Sequence, residues 1–235
     1  MRRAYWAAVA VVVMVVAAVA WLILSQRGGD TNALQPASDR IALPTPRYDS
    51  ATSVEEALLK RRSIRDYKDE PLMLAELAQL LWAAQGITDL AGFRTAPSAG
   101  ALYPMEVYAV VGNVTDLAAG VYKYHPAAHA LERTATGDRL AELSKAALGQ
   151  SAVRDAAVVL VLAAAYERTT QKYGERGVRY VHMEAGHVSQ NVYLQAVSLG
   201  LGTVTIGAFY DEDVKKVVGL PDNEQPLYLM PVGRP

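Results

Sequence analysis

A single apolar stretch near the start of the chain limits where a folded domain can lie. Residues 4–24 carry no charged side chain, and about 20 apolar residues are enough to cross the hydrocarbon core of a membrane. Trp6 and Trp21 lie near the two ends of this stretch, where interfacial aromatic rings are typical. We therefore predict a transmembrane anchor over residues 1–25, with a cleaved signal peptide as the alternative.

The charges around this stretch predict its orientation. Arg2 and Arg3 precede it, whereas one basic and one acidic residue follow it. The positive-inside rule therefore favours a cytoplasmic N-terminus and an extracytoplasmic domain. Residues 26–50 are rich in Gly, Pro, Asp and Ser and are predicted to form a tether. Residues 51–235 remain, which is enough for one domain with its own core.

Composition excludes several classes of protein. The net charge is -1, so the chain lacks the basic character that would favour a nucleic-acid partner. It contains no cysteine, which excludes disulfides, thiolate nucleophiles, iron–sulfur clusters and cysteine-ligated zinc sites.

Three helices are predicted from start and stop signals. Ser53 followed by Glu56 is typical of a capping box, so a helix begins there. A second helix is predicted over residues 74–85, and a long helix over residues 180–202.

Strands are interspersed among these helices. They are predicted over residues 105–112, 120–126 and 156–166, and the stretches "TVTIGAF" and "PLYLMPVG" supply the last two. Because no regular strand–helix–strand repeat appears, the fold class is predicted to be α+β.

Three arginines surround one serine in "RRSIRDY", residues 61–67. Guanidinium groups bind phosphate oxygens through paired hydrogen bonds, and a serine hydroxyl adds another donor. This cluster indicates a site for a phosphate monoester. A solvated surface turn and a contact with membrane lipids are the alternatives.

Two loops are rich in small residues. In "TAPSAGALYP", residues 95–104, Gly100 leaves room for backbone to approach a flat ligand. In "GLGTVTIGAFYD", residues 200–211, a threonine and the backbone after it could meet the edge of a ring. Each loop alone is also compatible with an ordinary turn.

Four stretches taken together resemble the FMN-dependent nitroreductase superfamily. They are "RRSIRDY", "PSAGALYPMEVY", "KYGERGVRYVHMEAGHVSQNVYLQAVSLGLG" and the terminal "PVGRP". Within the superfamily the chain is most similar to the SagB/ThcOx-type branch, which oxidises azolines to azoles in modified peptides. The resemblance covers residues 53–235. It implies an α+β three-layer sandwich with a central, mainly antiparallel sheet, assembled as a homodimer with two FMN sites at the subunit interface.

The resemblance also implies which residues bind FMN. The arginine stretch holds the phosphate and ribityl chain, "PSAG" reaches the FMN of the partner subunit, and the later loop lies beside the isoalloxazine ring. A late arginine is a further phosphate contact. The implied cofactor-binding residues are Arg61, Arg62, Ser63, Arg65, Pro97, Ser98, Ala99, Gly100, Thr205, Ile206, Gly207, Ala208 and Arg234.

Dehydrogenation by a flavin also needs a base that takes a proton while the hydride leaves. In the azoline-oxidising branch a Lys–Tyr pair is the proposed catalytic element, and Lys172 and Tyr173 fall in the matching place. The alternative is that both are surface residues of a loop.

No metal site is predicted. His182 and His187 are five residues apart, whereas a helical HExxH site needs a spacing of four. Glu184 and His187 form one Glu-x-x-His pair, but a di-iron bundle requires a second copy. Hydrogen bonding and helix packing are predicted for these residues.

The leading functional prediction is an FMN-dependent dehydrogenase that moves hydride between a small or peptide-borne heterocyclic substrate and FMN. Oxygen or a quinone would reoxidise the flavin. The alternative within the superfamily is NAD(P)H-driven reduction of nitro compounds or quinones. An alternative of another class is a membrane-tethered flavin-binding module without turnover.

Overall fold

The computed structural model describes residues 40–235. The predicted membrane anchor, residues 1–25, and residues 26–39 of the predicted tether lie outside this range, so the structure gives them no support and both stay predictions. No helix within residues 40–235 is long enough and apolar enough to span a membrane.

The described residues form one sheet with helices on both of its faces. The strands are β1 (Arg40–Ala42), β2 (Met105–Val111), β3 (Gly120–His125), β4 (Ala130–Thr136), β5 (Val158–Ala164), β6 (Gly202–Thr203) and β7 (Gln225–Gly233). The helices are α1 (Val54–Lys60), α2 (Leu74–Gln85), α3 (Leu140–Ala146), α4 (Ser151–Arg154), α5 (Glu167–Tyr173), α6 (Arg176–Ser198) and α7 (Asp211–Val218).

The strand order across the sheet is β1-β4-β3-β2-β5-β7-β6. Every ladder among the described residues is antiparallel. This arrangement confirms the predicted α+β class and the mainly antiparallel sheet.

The central strands β2 and β5 are buried on both faces. Successive side chains of a strand point to opposite faces, so Val107 and Leu160 belong to one core and Tyr108 and Val161 to the other. Helices α2 and α6 cover the first face, and α3, α4 and α7 cover the second. Because helices cover both faces of the sheet, the side chains of β5 are apolar along its whole length. Helices, sheet and helices form the three layers of the fold.

Local signals fix the starts of the first helices. Ser53 is the N-cap of α1, and its Oγ accepts a hydrogen bond from the Glu56 N–H at 3.1 Å, as N-cap residues do. The Glu56 carboxylate pairs with Lys60 one turn later, so only half of the predicted capping box forms. Helix α2 has the predicted bounds and ends at Gly86.

The long helix α6 begins and ends about one turn earlier than the sequence predicted. Gly200 has a φ of 68°, and the Leu201 N–H donates to the Ala196 carbonyl oxygen at 2.8 Å. This pattern is a Schellman motif, which ends a helix at a left-handed glycine.

The predicted strand "TVTIGAF" is wrong for most of its length. Only Gly202–Thr203 pairs continuously with β7, and Ile206 forms an isolated bridge to Leu229. Between them the Thr205 N–H donates to the Tyr193 hydroxyl at 2.8 Å and is therefore lost to the ladder.

The described fold also includes residues that the sequence assigned to the tether. Strand β1 pairs with β4 in antiparallel register, with Ile41 opposite Leu131. Strand β4 and helices α3, α4, α5 and α7 were not predicted.

Candidate active site

The arginine segment, residues 61–67, runs beside the edge of the sheet. The Ile64 N–H donates to the carbonyl oxygen of Thr203 on β6 at 2.9 Å. Gly202 permits this approach, because a Cβ at that position would lie 2.7 Å from Ile64 Cγ2. The segment is therefore docked through Ile64, while Arg62 and Arg65 are exposed and Arg61 is half-buried.

The hydroxyl of Tyr193 on α6 forms hydrogen bonds with Ser63 and with the loop after β6. Its hydroxyl lies 3.0 Å from the Ser63 Oγ and accepts from the Thr205 N–H at 2.8 Å. The Arg61 guanidinium lies 5.0 Å from the Tyr193 ring centroid. Burial raises the pKa of Tyr193, but the hydrogen bonds of Ser63 and Thr205 and the charge of Arg61 outweigh it and lower that pKa. The surroundings are therefore electropositive and suit an anion.

A cavity of 210 Å³ opens between the arginine segment and the end of α6, with Arg62, Tyr193 and Thr203 in its lining. The Thr203 and Thr205 hydroxyls are buried and have no partner within residues 40–235. Buried hydroxyls usually form hydrogen bonds, so these two could serve a bound ligand. Guanidinium and hydroxyl donors suit a phosphate. The residues present thus fit the phosphate and ribityl chain of FMN.

The other predicted phosphate contacts differ in their surroundings. Arg65 is exposed, and Arg62 donates to the Arg61 carbonyl oxygen at 2.7 Å. Arg234 donates to both carboxylate oxygens of Glu76, at 2.9 and 3.1 Å. Arg234 would have to loosen this pair to reach a phosphate, and its role in binding stays a prediction.

The loop over residues 205–208 offers two backbone amides to a ligand. The Thr205 N–H is donated to a side chain, and the Ile206 N–H to the Leu229 carbonyl oxygen at 2.8 Å. Gly207 and Ala208 are exposed, and no hydrogen bond from their amides occurs in the described part of the chain. These two amides remain for the edge of a ring.

The "PSAG" loop contacts the Lys–Tyr pair within the same chain. Gly100 has a φ of +63°, and a Cβ there would lie 2.7 Å from the Tyr173 hydroxyl oxygen and 3.0 Å from Lys172 Nζ. Glycine is needed for both the left-handed backbone and the space. Pro97 is exposed and Ala99 is half-buried. Two stretches that are far apart in sequence therefore form one surface.

Lys172 and Tyr173 are the last two residues of α5. Lys172 is exposed, with its Nζ 5.4 Å from the Tyr173 ring centroid. The Tyr173 ring is half-buried and packs edge-on against Tyr180 of α6, with ring centroids 5.2 Å apart. Packing thus positions the phenol, whereas the amine faces solvent.

A buried carboxyl group lies beneath the same loop. The Ser98 Oγ accepts from the Tyr103 N–H at 2.9 Å and lies beside Glu184, which is 2% exposed. Burial raises the pKa of Glu184 to about 7, although Ser98, the charge of Arg94 and the Gln85 side chain act to lower it. This carboxyl therefore exchanges a proton near neutral pH.

Helix α6 carries both halves of the site at separate positions. Glu184 lies beside the "PSAG" loop and Tyr193 beside the arginine segment. Nine residues of helix separate them, or about 14 Å along the axis. The structure therefore groups the predicted residues into two clusters along one helix.

The other residues of "HMEAGH" do not gather around a common point. His182 Nε2 lies 2.6 Å from the Tyr166 hydroxyl, so His182 has a hydrogen-bonding role. Within residues 40–235 there is no group of three side chains arranged to hold a metal ion.

Sequence reasoning missed Tyr193 and gave Glu184 only a role in hydrogen bonding and helix packing. Both lie on the buried side of α6, at helical spacing from Val181, Val188 and Val192. A carboxyl and a phenol among core positions of a long helix need buried partners, and that pattern is visible in the sequence.

The nitroreductase family model matches residues 58–234. The chain belongs to the nitroreductase family. The matched range contains the arginine segment, the "PSAG" loop, the Lys–Tyr pair and the loop over residues 205–208, and it identifies this nitroreductase-family protein as an oxidoreductase.

Two relatives in sequence support this assignment. A protein of Methanocaldococcus jannaschii assigned as a nitroreductase is 54% identical over 181 residues, covering 77% of this chain and 90% of that protein. The microcin B17-processing protein McbC of Escherichia coli is 34% identical over 132 residues, covering 54% of this chain and 48% of McbC. The chain thus spans about half the length of McbC.

Solved structures with a similar fold support the same assignment. A chain of the E. coli microcin synthetase McbBCD complex with truncated pro-MccB17 bound has a TM-score of 0.65 and 28% identity, covering 83% of this chain and 78% of that chain. The NADPH:FMN oxidoreductase of Vibrio harveyi complexed with NAD+ has a TM-score of 0.56 and 25% identity, covering 77% and 68%. The predicted relationship to the superfamily and its peptide-processing members is confirmed.

Proposed function

We propose that this nitroreductase-family protein is an FMN-dependent dehydrogenase of the azoline-oxidising type. It moves hydride between a small or peptide-borne heterocyclic substrate and FMN. The observation that carries the proposal is the contact between the "PSAG" loop and the Lys–Tyr pair, where a Cβ at Gly100 would lie 2.7 Å from the Tyr173 hydroxyl oxygen. The loop assigned to the flavin and the pair assigned to proton transfer thus share one surface.

The arginine segment is the proposed holder of the FMN phosphate. Arg61, Arg62 and Arg65 supply positive charge and Ser63 a hydroxyl. The Thr205 hydroxyl, which is buried and has no partner among residues 40–235, lies close by. FMN bound there would supply the hydride-accepting ring, a chemistry that no amino-acid side chain provides.

Lys172 and Tyr173 are the proposed proton acceptors. Oxidation of an azoline removes one hydride and one proton from the substrate ring, so a base must take the proton as the hydride leaves. The Tyr173 phenol is positioned by its packing on Tyr180. Lys172 is open to an incoming substrate.

A homodimer is the proposed assembly. In this proposal the "PSAG" loop of one subunit completes the flavin site of the other, which joins the two clusters that lie apart along α6. Exposed apolar side chains suit such an interface, namely Leu58 and Leu59 near the end of α1 and Val178 and Met183 on α6.

A peptide-borne substrate follows from the relatives. McbC is named for processing microcin B17, and the McbBCD complex holds truncated pro-MccB17. We extend this chemistry to the present chain, including the use of partner proteins that deliver the peptide.

The test uses the full chain purified in detergent. The protein should be yellow and should release FMN on denaturation. Lys172→Ala and Tyr173→Phe should retain FMN but oxidise a thiazoline-bearing peptide at least ~100-fold more slowly, the scale of general-base catalysis. Lys145→Ala, on α3 across the sheet, is the control and should keep wild-type turnover. A colourless protein, or full turnover in both variants, refutes the proposal.

Reduction by NAD(P)H is the second candidate, favoured by the similarity to the V. harveyi NADPH:FMN oxidoreductase. Anaerobic addition of NADH or NADPH distinguishes the two. Rapid flavin bleaching by either nucleotide supports the reductase, whereas bleaching by the thiazoline peptide alone supports the dehydrogenase. Bleaching by neither leaves a flavin-binding module.

We also propose that residues 1–25 anchor the protein with its domain outside the cytoplasm. The proposal rests on the uncharged stretch over residues 4–24 and on Arg2 and Arg3 before it. Protease added to intact cells should then digest the domain. Protection in intact cells and digestion after lysis would reverse the orientation.

A further inference from the structure

A second polar cavity lies next to the candidate active site. This Arg94 cavity, defined by Gln85, Arg94, Glu106, His125 and Arg168 among its lining residues, has a volume of 230 Å³. It shares no lining residue with the cavity beside the arginine segment. It therefore needs an explanation of its own.

Arg94 brings an unbalanced positive charge to this cavity. One guanidinium nitrogen donates to Gln85 Oε1 at 2.8 Å, and the group lies 4.6 Å from the Tyr103 ring centroid. No ion pair joins Arg94 to a carboxylate within residues 40–235. Burial lowers the pKa of Arg94, while the charges of Glu106 and Glu184 act to raise it; a guanidinium stays charged nonetheless.

The neighbouring carboxylates are already engaged. Glu106 pairs with Arg168 and also with Lys123, at 3.1 Å for the second pair. Lys123 pairs again with Glu224 at 2.8 Å. Arg168 and Lys123 are the two cations of this network, and they neutralise its two carboxylates. Arg94 therefore has no ion-pair partner in the network.

The remaining titratable groups around the cavity offset that charge only in part. His125 Nε2 lies 2.7 Å from Glu132, so those two groups face each other. Glu184 lies near Arg94, but burial raises its pKa to about 7, and its carboxyl is only partly charged at neutral pH. Gln85 is fully buried and lies close enough to Glu184 to lower the pKa of that carboxyl, but neither Gln85 Nε2 nor Glu184 Oε1 has a hydrogen bond of good geometry within the described residues. Glu184 is thus an acceptor close to both groups, but it forms no ion pair with Arg94 among the described residues.

We propose that the Arg94 cavity binds a carboxylate group of the substrate, with Arg94 as its counter-charge and Gln85 and Arg168 beside it. A paired guanidinium–carboxylate contact satisfies both partners when they are withdrawn from water. The inference rests on the proposed function only in calling the ligand a substrate. The carboxylate belongs either to a peptide, at a side chain or C-terminus, or to a free small acid.

The cavity is close to the candidate catalytic pair. Arg168 and Lys172 are four residues apart on α5, so they lie on the same face of the helix one turn apart. Arg168 also donates to the Tyr103 carbonyl oxygen at 3.0 Å, and the Tyr103 N–H donates to Ser98 of the "PSAG" loop. A carboxylate bound here would fix one end of a substrate whose other end reaches Lys172.

The test compares an acid with its uncharged amide. The full chain is titrated with N-acetylglycine and with N-acetylglycinamide by ligand-observed NMR. The acid should bind at least ~10-fold more tightly, the scale of a hydrogen bond to a charged group. Arg94→Gln should abolish that preference, and Arg168→Gln should reduce it. Arg133→Gln removes an exposed charge on β4 outside the cavity and should leave the preference unchanged.

Each result decides the proposal. Equal binding of acid and amide to the wild-type protein, or binding of neither, overturns it. A preference that survives in folded Arg94→Gln also overturns it. If that variant does not fold, Arg168→Gln and the wild-type comparison still decide. A titration with acetate distinguishes the two sources of the carboxylate. Acetate binding as tight as that of N-acetylglycine indicates that the ligand is a free small acid, and weaker binding indicates a peptide. Both results support the site.

The experiment also separates this inference from the proposed function, because it needs no turnover. Acid preference through Arg94 in a colourless or inactive protein would keep the site and remove the dehydrogenase. Thiazoline oxidation without any acid preference would do the reverse.

Discussion

Replacing Gly100 by alanine should separate the chemistry of the candidate site from the stability of the fold. Gly100 has a φ of +63°, and a left-handed backbone costs a non-glycine residue about 1–2 kcal/mol. The new Cβ would also lie 2.7 Å from the Tyr173 hydroxyl oxygen, where ordinary contact begins at 3.4 Å. The hydroxyl must therefore retreat by about 0.7 Å, the difference between these two distances.

The two consequences affect different measurements. The phenol is the far end of a side chain, so its movement adds little to the cost in unfolding free energy. A catalytic group displaced by ~1 Å can lose about 100-fold in rate, so thiazoline oxidation should fall ~10- to 100-fold. Gly137→Ala is the matched control, because Gly137 has a φ of +84° and no atom within 4 Å of its would-be Cβ.

Urea unfolding and steady-state oxidation of a thiazoline peptide, with FMN content measured for each protein, provide the comparison. Both variants should lose about 1–2 kcal/mol of unfolding free energy, and only Gly100→Ala should lose turnover. Equal turnover in the two variants would show that the contact with the Lys–Tyr pair has no catalytic meaning.

Three further changes test the rest of the site. Tyr193→Phe leaves the Thr205 N–H without its acceptor. The variant should lose about 1–3 kcal/mol of unfolding free energy in urea and should lose FMN faster on dialysis. FMN retention equal to that of the wild type would contradict the role assigned to Tyr193. Gly202→Ala places a Cβ 2.7 Å from Ile64 Cγ2. This overpacking should lower the free energy of unfolding by about 1–3 kcal/mol and should weaken FMN retention, because it shifts the arginine segment. If neither property changes, the docking of the segment at Gly202 is refuted. The pKa of Glu184 is raised from 4.5 to about 7 in the folded protein, so the folded state favours the protonated carboxyl. The stabilisation that the protonated carboxyl provides is complete below pH 4.5 and is lost as pH rises through 7. Glu184→Gln should therefore be more stable than wild type at pH 8, by about 3 kcal/mol, but not at pH 4; parallel pH profiles in urea unfolding would contradict this.

The sequence predicted the elements whose signals are local. Helix α2 ends at Gly86, where the backbone becomes extended and a Cβ would clash with Trp82, and β5 is an apolar run because both its faces are covered. The short stretch after α6 was mispredicted as a strand, because a side chain from another element, Tyr193, takes the Thr205 N–H from the ladder. A sequence window contains no information about such a distant partner.

The sequence by itself determined the family, the α+β class and the residue types that a phosphate and a proton transfer require. The tertiary structure decided which of these residues meet. It brought Gly100 against Lys172 and Tyr173, engaged Arg234 with Glu76, and left Arg94 beside a cavity without a carboxylate partner. The physical reason is that backbone propensities act within a few residues, whereas contact, burial and charge balance depend on the packing of helices against both faces of one sheet.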